Sequence, residues 1–297
     1  MSTHLTERRR PFGRALCAMV TPFDAAGGPD LGAAAKLAAT LVTEGCDGLV
    51  LNGTTGESPT TSDAEKAALI RAVREAVGPG PALVAGVGTA DTRHTVELAR
   101  QAEDAGADGL LVIPPYYSRP PQAAVEAHFL KVADATGLPV MLYDIPGRTA
   151  TRIEPETMIR LAAHPRIVAV KDCAYDLLGS TKVLARTSLA YYSGCEELNL
   201  PLYALGGSGY ISTVANVVPG PLRAVLDAFD RGDTAEAARL NALNLPLAEL
   251  MMASGLPGTV TAKALLGMPV REPLQPAGRE AVDGLRAAYE ELVQSYT

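Results

Sequence analysis

A lysine closes an apolar run, Ile167-Val168-Ala169-Val170-Lys171, and Asp172 follows at once. Two readings of Lys171 stand open. Its stem can run along apolar surface and lift the ammonium to water or to Asp172. Alternatively, it is an amine nucleophile that forms a Schiff base with a carbonyl. The second reading needs a pKa brought from about 10.4 to about 7–8, roughly 4 kcal/mol of disfavour for the ammonium, which desolvation can supply. The turn Asn52-Gly53-Thr54-Thr55-Gly56-Glu57-Ser58 offers backbone N–H groups and two hydroxyls. It suits a carboxylate or phosphate oxygen, or it is a plain tight turn. Arg148, after Pro146-Gly147, is either a bidentate carboxylate clamp or half of a surface ion pair. Tyr116, Tyr117, Tyr143, Tyr192 and Tyr210 also fall at the ends of apolar runs, where a phenol is both wall and proton handle. Glu57 reads as structural, bonding amides of its own turn, and Glu103/Asp104 and Glu290/Glu291 read as solvated helix faces.

The remaining composition narrows the chemistry. His4, His94, His128 and His164 are scattered, and Cys17, Cys46, Cys173 and Cys195 form no CxxC. No metal site is expected from such spacing, and the cysteines fit reduced thiols in a cytoplasm. Without a metal to polarise a carbonyl, the amine reading of Lys171 gains weight. The 297 residues are 47% hydrophobic and 20% charged, with net charge −7, an ordinary globular composition with no basic patch for nucleic acid. The one basic run, Arg8-Arg9-Arg10, reads as a solvated terminus. No apolar stretch approaches the ~20 residues of a membrane span, and Met1–Glu7 lacks the apolar centre of a signal peptide.

The elements that must position these residues follow one rhythm. Strands are expected at 16–20, 48–51, 83–87, 109–113, 140–145, 167–171, 190–193 and 209–213, and helices at 31–44, 63–77, 92–105, 123–136, 155–163, 177–185 and 196–205. The strands are apolar on consecutive positions, so both faces are buried, and strand–helix alternation implies parallel pairing. Eight strands close a (β/α)8 TIM barrel. An open doubly wound sheet would carry a Gly-rich turn after its first strand, where Val20-Thr21-Pro22-Phe23 stands instead. Further helices at 221–231, 234–253, 259–266 and 279–295 exceed the eighth helix, giving a barrel over 13–232 and a C-terminal helical appendage over 233–297. In such a barrel the active site lies at the C-terminal strand ends, where Thr54, Tyr117, Tyr143, Arg148, Lys171, Gly194 and Ile211 all fall.

Five segments together carry a resemblance: Ala18-Met19-Val20-Thr21-Pro22-Phe23, Asn52 through Ser58, Pro115-Tyr116-Tyr117-Ser118, Leu142 through Thr149, and Val168 through Asp172. The chain resembles, from about Gly13 to its C-terminal helices, the pyruvate-dependent class I aldolases and lyases of the dihydrodipicolinate synthase/N-acetylneuraminate lyase superfamily. The resemblance implies that Lys171 condenses with pyruvate and that Tyr143 relays protons. Thr54 would link Tyr143 to Tyr117, which reaches in from a neighbouring subunit. It further implies that Thr55 and its turn hold the pyruvate carboxylate, that Arg148 holds the carboxylate of L-aspartate 4-semialdehyde, and that backbone around Gly194 and Ile211 lines the floor. The product would be 4-hydroxy-tetrahydrodipicolinate, on the route to lysine and diaminopimelate. No cofactor is implied, and a cytoplasmic homotetramer, a dimer of tight dimers, is. Sialic-acid lyases typically lack the arginine that Arg148 supplies, because their aldehyde is a polyol.

The chain departs from the family pattern at two places. Cys173-Ala174-Tyr175-Asp176 stands where a small, Gly-containing stretch is usual, and Cys195-Glu196 follows Ser193-Gly194 where Asp is usual. Cys173 and Cys195 would then lie close across the sixth and seventh strands, and a Cα separation well beyond ~7 Å would exclude direct pairing. Lysine-inhibited members use two histidines, an asparagine and a glutamate, where this chain has Asp63, Lys66, Ala90 and His94, so inhibition by lysine is expected to be weak or absent. Two other functions are compatible with the same residues. One is a sister aldolase or lyase with a different aldehyde, such as a 2-keto-3-deoxy sugar acid aldolase. The other is a keto-acid sensor without catalysis, which would have no need of a reactive amine.

Overall fold

The structure, a computed structural model, describes residues 9–296. Met1–Glu7, with His4, and Arg8 of the basic run lie outside the described residues, as does Thr297. Eight parallel strands follow sequence order in a closed barrel: β1 (Ala15–Ala18), β2 (Gly48–Leu51), β3 (Ala82–Gly86), β4 (Gly109–Val112), β5 (Val140–Asp144), β6 (Ile167–Asp172), β7 (Ala190–Ser193) and β8 (Gly209–Ser212). The expected (β/α)8 barrel with C-terminal helices is the observed fold. Nearly every strand position is buried, as strands covered on both faces require. The first strand ends at Ala18 rather than Val20, because the Val20 N–H donates to the Asn216 side chain (3.0 Å) and leaves the ladder.

The chain divides into two compact units. One holds the described residues up to Arg14 together with Ala82–Ile211. Its helices are α3 (Thr92–Asp104), α4 (Gln122–Asp134), α5 (Pro146–Thr149), α6 (Pro155–Leu161), α7 (Leu177–Arg186) and α8 (Asn199–Ala204). The single turn α5 was not expected from sequence; Pro146 at its first position supplies a helical φ and lacks only an N–H that would be unbonded anyway. The helix expected at 196–205 divides into a tight turn, Glu196–Leu198, and α8. Arg10 is no free terminus: its guanidinium donates to the Tyr203 hydroxyl (2.5 Å). The core of this unit gathers Val84, Leu110, Phe129, Leu142, Val170, Tyr191 and Tyr203, all essentially inaccessible.

The other unit comprises Ala15–Pro81 and the described chain from Ser212. Its helices are α1 (Leu31–Thr43), α2 (Asp63–Val77), α9 (Pro219–Asp230), α10 (Thr234–Met252), α11 (Gly258–Leu266) and α12 (Arg279–Ser295). Ser62 caps α2 in a reciprocal box with Glu65 (Ser62 N–H to Glu65 Oε2, 2.7 Å), as the Ser62…Glu65 spacing foretells. The C-terminal helices reach the loop after β2. Buried Lys263 on α11 pairs with buried Glu57, and the Arg271 guanidinium clamps Glu65 (2.9 Å) and the Thr60 carbonyl (2.6 Å). Among the described residues no helix is long and apolar enough to cross a membrane.

Candidate active site

Alternation along β5 and β6 separates two chemistries. The two strands are in register with Tyr143 opposite Lys171 and Asp144 opposite Asp172. Successive side chains face opposite sides of a strand. Lys171 is 5% exposed, with Nζ 4.5 Å from the centre of the Tyr143 ring, and Tyr143 is 4% exposed. A lysine lifted into water is therefore not what the fold contains. The Asp172 carboxylate accepts from Ser180 Oγ (2.7 Å), the Tyr191 hydroxyl (2.8 Å) and the Ala174 N–H (2.7 Å).

Gly194, just past β7, makes room for the lysine. A Cβ there would stand 2.8 Å from Lys171 Cε and 2.4 Å from Cys173 Sγ, closer than side chains approach. Only glycine lets this backbone lie against the lysine stem. Ile211 on β8 is buried. Arg148 is exposed on α5, and among the described residues no carboxylate pairs with it. Tyr117 is 93% exposed with φ +71°, a conformation side chains rarely adopt, so its ring is held away from its own chain. Tyr192 faces elsewhere: fully buried, it donates to the Gly13 carbonyl (2.9 Å) ahead of β1, at the N-terminal side of the strands.

In the other unit, Thr54 and Thr55 follow β2. The turn is braced from within by Glu57 N–H to the Thr54 carbonyl (3.1 Å) and Ser58 N–H to the Gly53 carbonyl (3.2 Å). Thr55 is buried and its hydroxyl meets that of Thr213 at 2.9 Å. Thr21 donates to the Gly56 carbonyl (2.7 Å), and a Cβ on Gly56 would crowd the Asn52 nitrogen (3.2 Å) and the Met19 oxygen (3.3 Å). Glu57 is structural, but not through amides of its own turn. With φ +56° its side chain leaves the turn to meet Lys263 and the Arg271 N–H (2.9 Å).

A carboxylate cluster behind the Tyr143/Lys171 face escaped sequence reading. Asp144 is fully buried and accepts from the Ile153 N–H (3.0 Å), with Arg152 Nε 4.0 Å from its other oxygen. Burial, helped by nearby Asp172, pushes its carboxyl up to about 7. Arg152 also hydrogen-bonds Asp176, and that bond holds the Asp176 carboxyl below the usual range. Burial together with Asp172 raises the Tyr191 phenol. The one signal available in sequence was alternation: Asp144 follows Tyr143 and Asp172 follows Lys171, so each carboxylate falls on the opposite face of its strand.

The whole pattern has close relatives. The chain matches the dihydrodipicolinate synthetase family over residues 11–292. It belongs to that family. It is 73% identical over 288 residues to 4-hydroxy-tetrahydrodipicolinate synthase 1 of Streptomyces coelicolor, covering 95% of this chain and 94% of the relative. It is 56% identical over 292 residues to the 4-hydroxy-tetrahydrodipicolinate synthase of Acidothermus cellulolyticus, covering 96% and 94%. Among solved structures, that of the Cyanidioschyzon merolae family member with lysine bound superposes with a TM-score of 0.92 at 36% identity, covering 96% of this chain and 99% of the other. The chloride-inhibited enzyme from Acinetobacter baumannii complexed with pyruvate gives 0.90 at 30% identity, covering 95% and 99%. Family membership thus agrees with the residues that carried the resemblance.

Proposed function

We propose that this member of the dihydrodipicolinate synthetase family condenses pyruvate with L-aspartate 4-semialdehyde, through a Schiff base on Lys171, to give 4-hydroxy-tetrahydrodipicolinate. The observation that carries the reading is a lysine shut away from water, packed against a phenol and floored by a glycine. Lys171 Nζ attacks the keto carbon, and loss of water leaves an iminium. Tyr143, opposite Lys171 in register, hands protons to and from that centre. The iminium draws electrons from the pyruvate methyl group, which loses a proton and becomes an enamine carbon nucleophile. That carbon attacks the aldehyde. The amine of the second substrate then closes onto the imine carbon and releases Lys171.

Thr55 and its turn hold the pyruvate carboxylate, and Arg148 takes the carboxylate of the aldehyde. Thr54 and Tyr117 complete the relay. The outward, strained placement of Tyr117 supports its insertion into a neighbouring subunit, and so a homotetramer built as a dimer of dimers. Four free thiols fit a cytoplasmic setting. The test is direct. Pyruvate with borohydride adds a covalent mass to the wild-type chain and none to Lys171→Ala, and an unmodified wild type would refute the assignment. Turnover with L-aspartate 4-semialdehyde then separates this aldehyde from that of a sister aldolase.

A further inference from the structure

Two thiols that the proposed reaction does not use sit beside its lysine. Cys173 follows β6 and Cys195 follows β7, and the register pairs Asp172 with Ser193. The Gly194 N–H continues that pairing onto the Asp172 carbonyl (2.9 Å), so Cys173 lies opposite Gly194 and Cys195 is one residue on. From the ordinary strand spacing of about 4.8 Å and rise of about 3.3 Å, the two Cα atoms fall about 6 Å apart. A disulfide spans about 4.4–6.8 Å between Cα atoms. Cys173 Sγ lies 4.0 Å from the Tyr143 hydroxyl and against the Gly194 backbone, where a Cβ would stand 2.4 Å from it. Cys173 is partly exposed, whereas Cys17, Cys46 and Cys195 are buried.

We propose that Cys173 and Cys195 are a modification site: a dithiol that a peroxide-class oxidant closes into a disulfide across the ends of β6 and β7. The division of labour follows from the surroundings. Neighbouring Cys195 and Lys171 hold the Cys173 thiol down against the opposing effects of burial and Asp172. Cys195 is pushed up by neighbouring Cys173 and by burial, with Tyr175 and Glu197 also facing it. Cys173, the partly exposed thiol, is accordingly the attacking sulfur and buried Cys195 the resolving thiol. The Cys173 thiolate displaces hydroxide from hydrogen peroxide to give a sulfenic acid. Cys195 sulfur then attacks that sulfur and water leaves, so two thiols lose two electrons and the peroxide gains them. A thiol reductant reverses the step.

Cys173 Sγ and Lys171 Cε crowd the same space over Gly194. Drawing that sulfur onto β7 moves it into the room the lysine stem uses. This consequence for Lys171 rests on the catalytic reading; the cross-link itself does not.

The experiment titrates the reduced full-length protein with hydrogen peroxide, alkylates remaining thiols under denaturing conditions, and maps peptides by mass spectrometry. The expected result is a Cys173–Cys195 cross-linked peptide, two hydrogens lighter than the paired thiols, formed before Cys17 and Cys46 oxidise and reversed by dithiothreitol. The pyruvate–borohydride adduct is lost in the oxidised protein and returns on reduction. Cys195→Ser gives no cross-link and leaves a Cys173 sulfenic acid that dimedone traps. Recovery of both cysteines as separate alkylated or sulfinic species, with no cross-link, overturns the proposal. A reduced protein that forms no pyruvate adduct refutes the catalytic reading and leaves the cross-link as its own result.

Discussion

Replacing Asp144 by asparagine should stabilise the protein in a way that depends on pH. The Asp144 carboxyl stands at about 7 in the fold against an ordinary 3.8, a difference of 7 − 3.8 = 3.2 pH units. At about 1.36 kcal/mol per unit, that is about 4 kcal/mol. Burial is the main cause, so the folded state disfavours the carboxylate and binds the proton more tightly than the unfolded chain does. Its contribution is therefore fully present below the unfolded pKa and is lost as pH rises through the folded one. Asparagine keeps the acceptor for the Ile153 N–H and carries no charge, so the variant escapes that loss. Between about pH 5.5 and about pH 8, its stability relative to wild type should rise by about 2 kcal/mol. Urea denaturation of both proteins at the two pH values measures this. A difference that stays constant across that range refutes the raising of the Asp144 carboxyl by burial.

Three further outcomes follow from the geometry. Gly194→Ala places a Cβ 2.8 Å from Lys171 Cε, and turnover should fall about 100-fold through misplacement of the amine, read in a coupled assay; activity within about twofold of wild type would contradict the contact. Lys263→Met leaves the buried Glu57 carboxylate without its cation and should cost about 3–5 kcal/mol in denaturant unfolding, whereas a loss below about 1 kcal/mol would show that Arg271 and solvent compensate. Lysine should inhibit weakly or not at all, because Lys66 is buried and its ammonium is committed to the Thr61 carbonyl. Clear inhibition at sub-millimolar lysine would overturn that reading.

Much of the molecule is written locally. The β2, β7, α2 and α12 boundaries read directly off apolar runs and caps, because a run such as Gly48–Leu51 or a box such as Ser62…Glu65 needs only its own neighbours to be recognised. Lys171, Tyr143, Thr54, Thr55 and Arg148 were legible as candidates for the same reason: each ends or follows a strand. Their surroundings were not legible. Glu57 and Lys263 are 206 positions apart, and Tyr192 and Gly13 are 179 apart, so no window of sequence shows that one carboxylate leaves its turn for α11 or that one phenol faces away from the expected site. The sequence alone determined the rhythm of strands and helices and the residue types at the strand ends, which depend on periodicity and short-range bonding. Tertiary structure alone decided that Lys171 is shut away from water, that Gly194 must lack a side chain, that burial raises the Asp144 carboxyl, and that the ends of β6 and β7 bring Cys173 beside Gly194. Burial, close approach and charge all depend on which distant segments fold against each residue.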